Sequence, residues 1–407
     1  MEKVLVIADD LTGGLDTGIA FAAAGIPTCV GLNDEFPSGD DSRDCCVQVA
    51  VVPSRHMAPE DAYRSVFHVV ERALDQKFTC IFKKTDSALR GNVGAELKAA
   101  KDAAGAKRLF FVPAFPKMRR VTRNGIHYID GNIPVSESVF ASDPFNPVRH
   151  SSVLELLAQT ADAPAALAYR GQRELPEGIL VFDAETQQDV LETAQWITSR
   201  SDGQLLAGCA GLASVLPEIL ELETGCRSQS LPRGNLMVFC GSVNPISLAQ
   251  CREARNDGAP GYHLIVDGRH QEPLSLARQI AHSAGTEPVT VFDTGSAEVS
   301  TADPNADGKA IAQLVGQVIH HAAAQNPEAI PMIIGGDTLL EFLRQRKIGT
   351  IYPMAELFPG VVMAYYFYQG RKCYLISKSG GFGEKTLLKS LWQKLSPQSG
   401  NAQSGGA

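Results

Sequence analysis

A chain of 407 residues exceeds the length at which one hydrophobic core stops growing, so two domains are expected. Its 44% hydrophobic and 20% charged residues are an ordinary globular balance, which excludes a disordered or bilayer-embedded chain. A formal net charge of −8 gives no basic stripe, so nucleic acid is not an expected partner and an anionic ligand would need locally clustered Lys and Arg. The nine cysteines are scattered and odd in number, with no C-x-x-C spacing, and Met1-Glu2-Lys3 runs into a short apolar stretch ended by Asp9-Asp10. Both features predict a cytoplasmic protein with no membrane partner.

Short runs rich in Val, Ile and Leu alternate with amphipathic stretches, the pattern of a largely parallel sheet covered by helices, so the fold class is α/β. In the first half, strands are predicted at Val4–Ala8, Cys46–Val52, Cys80–Lys83, Leu109–Val112, Gly178–Phe182 and Leu205–Ala207. Helices are predicted at Asp16–Ala24, Pro59–Gln76, Gly94–Ala104, Thr186–Ser199 and Ala213–Leu222. Pro113–His150 breaks the alternation with a long, turn-rich segment, which predicts part of a substrate site. A polar, Gly/Pro-punctuated stretch over 224–234 predicts a linker between domains at 1–223 and 235–395.

The second half restarts at Leu236–Cys240, with further strands at Leu264–Val266, Val289–Phe292, Met332–Ile334, Val361–Tyr368 and Cys373–Ile376. Its helices are predicted at Pro245–Arg255, Pro273–Ala284, Gly308–Gln325 and Thr338–Arg346. Residues 396–407 are Ser/Gly/Gln-rich and predict a disordered tail.

Chemistry concentrates where strands end, the edge at which open α/β sheets bind ligands. After the first strand, Asp9-Asp10-Leu11-Thr12-Gly13 joins two carboxylates, a hydroxyl and a flexible turn. One aspartate would hold a polyol hydroxyl or a metal; helix capping by Asp10 or Thr12 is the alternative, but capping alone would not need paired aspartates, so a functional role is expected. Lys83-Lys84-Thr85-Asp86-Ser87 with Arg90 supplies cations for a carboxylate and Asp86 for a hydroxyl. Arg55 stands beyond another strand end, and Arg119, Arg120 and His127 add to the same edge, His127 in a structural role.

In the second half, Gly241-Ser242-Val243-Asn244, Gly335-Gly336-Asp337-Thr338 and Lys378-Ser379-Gly380-Gly381 each follow a strand. Three anion-ready turns in one domain suggest a nucleotide, although neither a P-loop nor a G-x-G-x-x-G fingerprint occurs.

These blocks, with Leu89-Arg90-Gly91-Asn92, Pro113-Ala114-Phe115-Pro116 and Asp143-Pro144, resemble the four-carbon acid sugar kinases over nearly the whole chain. The resemblance implies an N-terminal domain for the acid, a C-terminal domain for ATP and an active-site cleft between them. Matched motif by motif, it implies that Asp10, Arg55, Lys84, Thr85, Asp86 and Ser87 contact substrate. Ser242, Gly335, Gly336, Asp337, Thr338 and Gly381 would contact ATP. Mg²⁺ would ride on the nucleotide phosphates, assisted by Asp337. Asp86 or Asp10 would deprotonate the C4 hydroxyl, with Arg55 and Lys84 on the carboxylate. The opening motif looks most like D-threonate or D-erythronate kinases; a 3-oxo-tetronate 4-kinase and a non-catalytic sugar-acid-binding protein are the alternatives. The oligomeric state stays open, homo-oligomers included. In one departure, Arg119-Arg120 stands where the family commonly has Gly-Arg.

Overall fold

The computed structural model describes residues 3–32, 44–76, 78–143, 145–225, 230–266, 269–295 and 304–396. The expected tail and the centre of the expected linker lie outside the described residues. The chain divides into two compact units, Met1–Arg227 and Ser228–Ala407.

In the first unit the described strands are β1 (Val4–Ala8), β2 (Thr28–Gly31), β3 (Val47–Val51), β4 (Cys80–Lys84), β5 (Arg108–Val112), β6 (Val121–Arg123), β7 (Ile126–Ile129), β8 (Ile133–Pro134), β9 (Ala165–Ala168), β10 (Gly178–Phe182) and β11 (Leu205–Gly208). Eight of them form a parallel sheet in the order β2-β3-β1-β4-β11-β5-β10-β9. Strands β1, β3 and β4 are buried along their whole length, as strands covered on both faces must be. The covering helices are α1 (Leu11–Ala23), α2 (Pro59–Asp75), α3 (Val93–Ala103), α4 (Val153–Thr160), α5 (Gln187–Thr198), α6 (Ala210–Ala213) and α7 (Leu216–Ile219). Val66, Val69 and Val70 of α2 and Leu97 and Ala100 of α3 close a core with Leu5, Ile7 and Ile81 of the sheet.

Strands β2 and β9 and helix α4 are not among the predicted elements, and three further features depart from the sequence expectation. Helix α1 begins five residues early because Asp10, not a later residue, is its N-cap. Ala213–Leu222 is two single turns rather than one helix, with Pro217 in the first turn of the second. Pro113–His150 is partly regular: β6, β7 and β8 form a small antiparallel sheet, followed by short 3-10 turns. Strands of two to four residues carry too little periodicity to be read from sequence.

The second unit holds β12 (Leu236–Cys240), β13 (Gly261–Val266), β14 (Arg269–His270), β15 (Val289–Gly295), β16 (Ile330–Ile334), β17 (Thr350–Phe358), β18 (Val361–Tyr368) and β19 (Arg371–Lys378). Its order is β14-β13-β15-β12-β16-β19-β18-β17. From β13 through β19 neighbouring strands run parallel, whereas β17-β18-β19 is an antiparallel meander. Its second reversal is made by Gln369 and Gly370, both at positive φ (50° and 75°), as a two-residue hairpin turn requires. Helices α8 (Pro245–Asn256), α9 (Pro273–Thr286), α10 (Pro304–Gln325), α11 (Gly336–Gln345) and α12 (Leu387–Leu395) cover the sheet. No described helix is long and apolar enough to cross a membrane.

Candidate active site

Strands β3, β1 and β4 are neighbours, so their C-terminal ends bring Arg55, Asp9, Asp10 and Lys84 together without any long-range loop. At the start of α1 the Asp10 carboxylate accepts from the Gly13 backbone N–H at 3.1 Å and from the Thr12 hydroxyl at 2.6 Å. Capping is therefore real, and the same carboxylate also meets Arg55 Nη2 at 2.9 Å. Gly13 lets these side chains close in: a Cβ would stand 2.4 Å from Asp10 Oδ1 and 3.0 Å from Lys84 Nζ, so they would have to shift. Arg55 also holds Asp9 through Nε at 2.8 Å and Nη2 at 2.7 Å.

Burial raises the pKa of Asp9 more than Arg55 lowers it. Burial acts on Asp10 in the same direction, but Arg55, Lys84 and the Thr12 hydroxyl together hold it below its ordinary value. Asp9 Oδ1 is buried with no hydrogen-bond partner, while the Asp10 side chain keeps 23% of its surface exposed. Of the two, Asp10 is the one a ligand can reach.

Asp86 stands just past β4 and is heavily engaged. Its Oδ2 accepts from the backbone N–H of Ala88 and Arg90 and from Arg90 Nε at 2.9 Å, and its Oδ1 accepts from Arg90 Nη2 at 2.9 Å. Against its burial, Arg90 and then Arg55 hold this carboxyl well below the usual carboxylate range. Arg90 in turn reaches Asp143 at 3.1 Å. Lys84 is buried and donates to the Thr85 carbonyl at 2.9 Å, and the Thr85 hydroxyl is buried without a partner. Lys83 points the other way, into the core, where it meets Glu96 at 2.8 Å; Glu96 also accepts from the Ser54 hydroxyl. Of the two adjacent lysines, only Lys84 belongs to the site.

His127 lies on β7 with Nε2 3.0 Å from the Ser87 carbonyl and Nδ1 3.0 Å from the Thr122 hydroxyl. A carbonyl can only accept, so Nε2 carries the proton and Nδ1 accepts. Burial pushes its pKa down to about 4. His127 is thus a neutral strut that fixes Ser87.

In the second unit, three turns meet at the ends of the adjacent strands β12, β16 and β19. A Cβ on Gly241 would lie 1.9 Å from Thr338 Oγ1, and one on Gly380 would lie 2.5 Å from Ser242 Oγ. Gly335, at φ 116°, caps α11, and a Cβ on it would lie 3.7 Å from the Ser242 backbone nitrogen; the first N–H groups of a helix have no acceptor within it. The buried Lys378 ties these turns together, donating to Ser247 Oγ and the Ser379 carbonyl at 3.0 Å and to the Gly380 carbonyl at 3.3 Å. Burial lowers its pKa to about 8. Asp337 and Gly381 are exposed at the rim, and Thr338 is buried. Among the described residues no group of three or more His, Cys, Asp or Glu stands ready for a metal.

The predicted residues therefore gather in two places. Asp10, Arg55 and Lys84 to Ser87 gather in the first unit, and Ser242, Gly335 to Thr338 and Gly381 in the second. Sequence reasoning missed the commitment of Lys83 to Glu96 and the part played by Phe140, over whose ring Arg90 and Arg120 both lie at 5.2 Å. An aromatic residue in an irregular segment gives no pattern that would reveal it.

Residues 4–216 match the family of sugar-binding N-terminal domains and residues 237–388 that of nucleotide-binding C-terminal domains. A D-threonate kinase of Salmonella typhimurium is 32% identical over 73% of this chain and 69% of that protein. A D-threonate kinase of Bordetella bronchiseptica is 29% identical over 94% and 95%. A 3-oxo-tetronate kinase of Burkholderia multivorans is 26% identical over 93% and 94%. The fold matches a solved Haemophilus influenzae structure from a family of unknown function, with TM-score 0.69, 18% identity and coverage of 95% and 98%.

Proposed function

The chain belongs to the four-carbon acid sugar kinase family, and we propose that it transfers the γ-phosphoryl group of ATP to the C4 hydroxyl of D-threonate. The observation that carries this reading is the edge of the first unit, where Asp10 and Lys84 lie on adjacent strand ends beside the unpartnered Thr85 hydroxyl. A carboxylate and a row of hydroxyls on one small molecule would satisfy such a set. The D-threonate kinases among the relatives support the choice of acid.

Phosphoryl transfer asks mainly for positioning and charge neutralisation. Asp10, Arg55 and Lys84 to Ser87 would bind the acid. Between the two candidate bases, Asp10 is the better placed, since Asp86 spends its lone pairs on Arg90 and two backbone N–H groups. Its lowered pKa leaves Asp10 an anion at neutral pH, ready to orient the C4 hydroxyl and take its proton as the phosphoryl group moves.

Ser242, Gly335 to Thr338 and Gly381 would hold ATP, with backbone N–H groups at the start of α11 facing phosphate oxygens. Mg²⁺ bound with the nucleotide would neutralise phosphate charge; a single exposed carboxylate, Asp337, fits an ion that keeps most of its ligands from phosphate and water. A cytoplasmic setting belongs to the same reading and agrees with eight described cysteines that form no disulfide.

The test is ADP release by purified protein with ATP and Mg²⁺ against D-threonate, D-erythronate and 3-oxo-tetronates, with the product identified by mass and NMR. Highest kcat/KM on D-threonate with phosphate on C4 is expected. Turnover confined to 3-oxo acids would overturn the choice of substrate, and ligand binding without turnover would overturn the kinase.

A further inference from the structure

The cations at the acid-binding edge are not equally committed. Arg55 meets Asp9 and Asp10, Arg90 meets Asp86 and Asp143, and Lys83 meets Glu96, every one of these pairs at 3.1 Å or less. Lys84 and Arg120 differ. Among the described residues no carboxylate oxygen lies within 4.0 Å of either one.

Arg120 is half-buried yet well held. Its guanidinium donates to Ser87 Oγ and lies 5.2 Å above the Phe140 ring, which Arg90 also covers at 5.2 Å. Burial lowers its pKa, and the carboxylates around it do not make up the difference. Lys84 donates to the Thr85 carbonyl and Arg120 to Ser87 Oγ, so both cations converge on the short stretch that follows β4, and both act on the Cys209 thiol. A guanidinium fixed at one end by a hydroxyl and a ring, and lacking an anion, is built to receive one.

We propose that Arg120 is the specificity-determining residue for the substrate carboxylate, forking onto it while Lys84 supports the same charge. Arg55, already saturated by two aspartates, instead orders the hydroxyl-binding side. The assignment rests on the acid-kinase reading above and moves the carboxylate contact from Arg55 to Arg120. It also accounts for Arg119. That residue sits at φ 54°, a backbone position that favours glycine, and it is exposed, so the Gly-to-Arg departure leaves Arg120 in register.

The experiment compares wild type, R120M and R120K on D-threonate and on the neutral four-carbon alcohol threitol, in which a hydroxymethyl group replaces the carboxylate. For R120M the KM for the acid should rise on the order of 10²-fold, as when one partner of a desolvated charge pair is removed. KM for ATP should stay within about threefold and turnover of threitol should not fall, because R120M also removes a cation that the alcohol leaves without an anion, and R120K should recover part of the loss on the acid because it restores charge but not the fork. A KM for the acid within about threefold of wild type, or an equal fall on acid and alcohol, overturns the proposal. Should R120M fail to fold, R120K decides alone: its acid KM must rise at least about fivefold with ATP and threitol unaffected. A wild-type protein that phosphorylates no four-carbon acid would sink the function itself, a result distinct from any of these.

Discussion

Replacing Asp10 by asparagine separates two roles that the structure joins in one side chain. Asparagine caps a helix as well as aspartate does, so its amide oxygen can keep the Gly13 N–H and α1 its first turn, while the Thr12 hydroxyl, which donates to the other oxygen, must rotate to accept from the amide nitrogen. Arg55 loses a full charge at 2.9 Å but retains Asp9 at 2.7 Å, so the folding cost should be only about 1 kcal/mol. The proton acceptor, by contrast, is gone. A positioned base contributes roughly 10²- to 10⁴-fold, or about 3–5 kcal/mol of barrier. Steady-state ADP release at saturating acid and ATP should therefore fall by at least about 100-fold in kcat while thermal unfolding barely moves. The pH profile adds a check of sign. A depressed pKa means Asp10 stays ionised until the pH drops below the ordinary aspartate value of about 3.9, so wild-type kcat/KM should show no acid limb from Asp10 above about pH 5. A D10N enzyme retaining kcat within about tenfold would refute Asp10 as the base, and the same assay on D86N would show whether Asp86 takes its place.

Other predictions concern the parts that hold the site. K83M should destabilise the first unit by about 3–5 kcal/mol, because Glu96 would be left buried without its cation, and urea unfolding measures this directly. In the second unit G241A forces a Cβ to within 1.9 Å of Thr338 Oγ1, so the turn must shift; KM for ATP should rise about tenfold or more while KM for the acid holds. R119G should leave both KM values unchanged, since Arg119 is exposed and glycine suits its φ of 54°.

Much of the framework was legible because long buried strands announce themselves. Val4–Ala8, Gly178–Phe182, Leu236–Cys240 and Val361–Tyr368 fall where their apolar runs predict. Thr28–Gly31 and Ala165–Ala168 did not, being four residues each with no alternation to read. The antiparallel meander was hidden for another reason: β17 carries Pro353, which argues against a strand, yet the sheet accommodates it with a register shift beside that residue. At the site, residue types pointed to the right stretches but not to their partners. Lys83 and Lys84 are adjacent and chemically identical, and only the alternation of a strand sends one to Glu96 in the core and the other toward Asp10. Sequence likewise made Arg55 a candidate carboxylate clamp, because its two aspartate partners become neighbours only when β1 and β3 pair.

That pairing explains why the edge can bind an acid although most of its own charges are acidic or neutralised. Asp9, Asp10, Asp86 and Asp143 would repel a sugar carboxylate if they stood alone. Arg55 and Arg90 each bridge two of them at 2.7–3.1 Å, which orients the carboxylates as hydrogen-bond acceptors and halves their formal charge. Lys84 on one strand end and Arg120 beyond another supply the remaining balance, each without a carboxylate in direct contact among the described residues. A ligand whose hydroxyls meet the aspartates and whose carboxylate meets those two cations gives each cation an anion in direct contact, whereas the neutral alcohol would leave both desolvated without one. Discrimination for the acid then comes as much from the penalty on the alcohol as from attraction to the carboxylate.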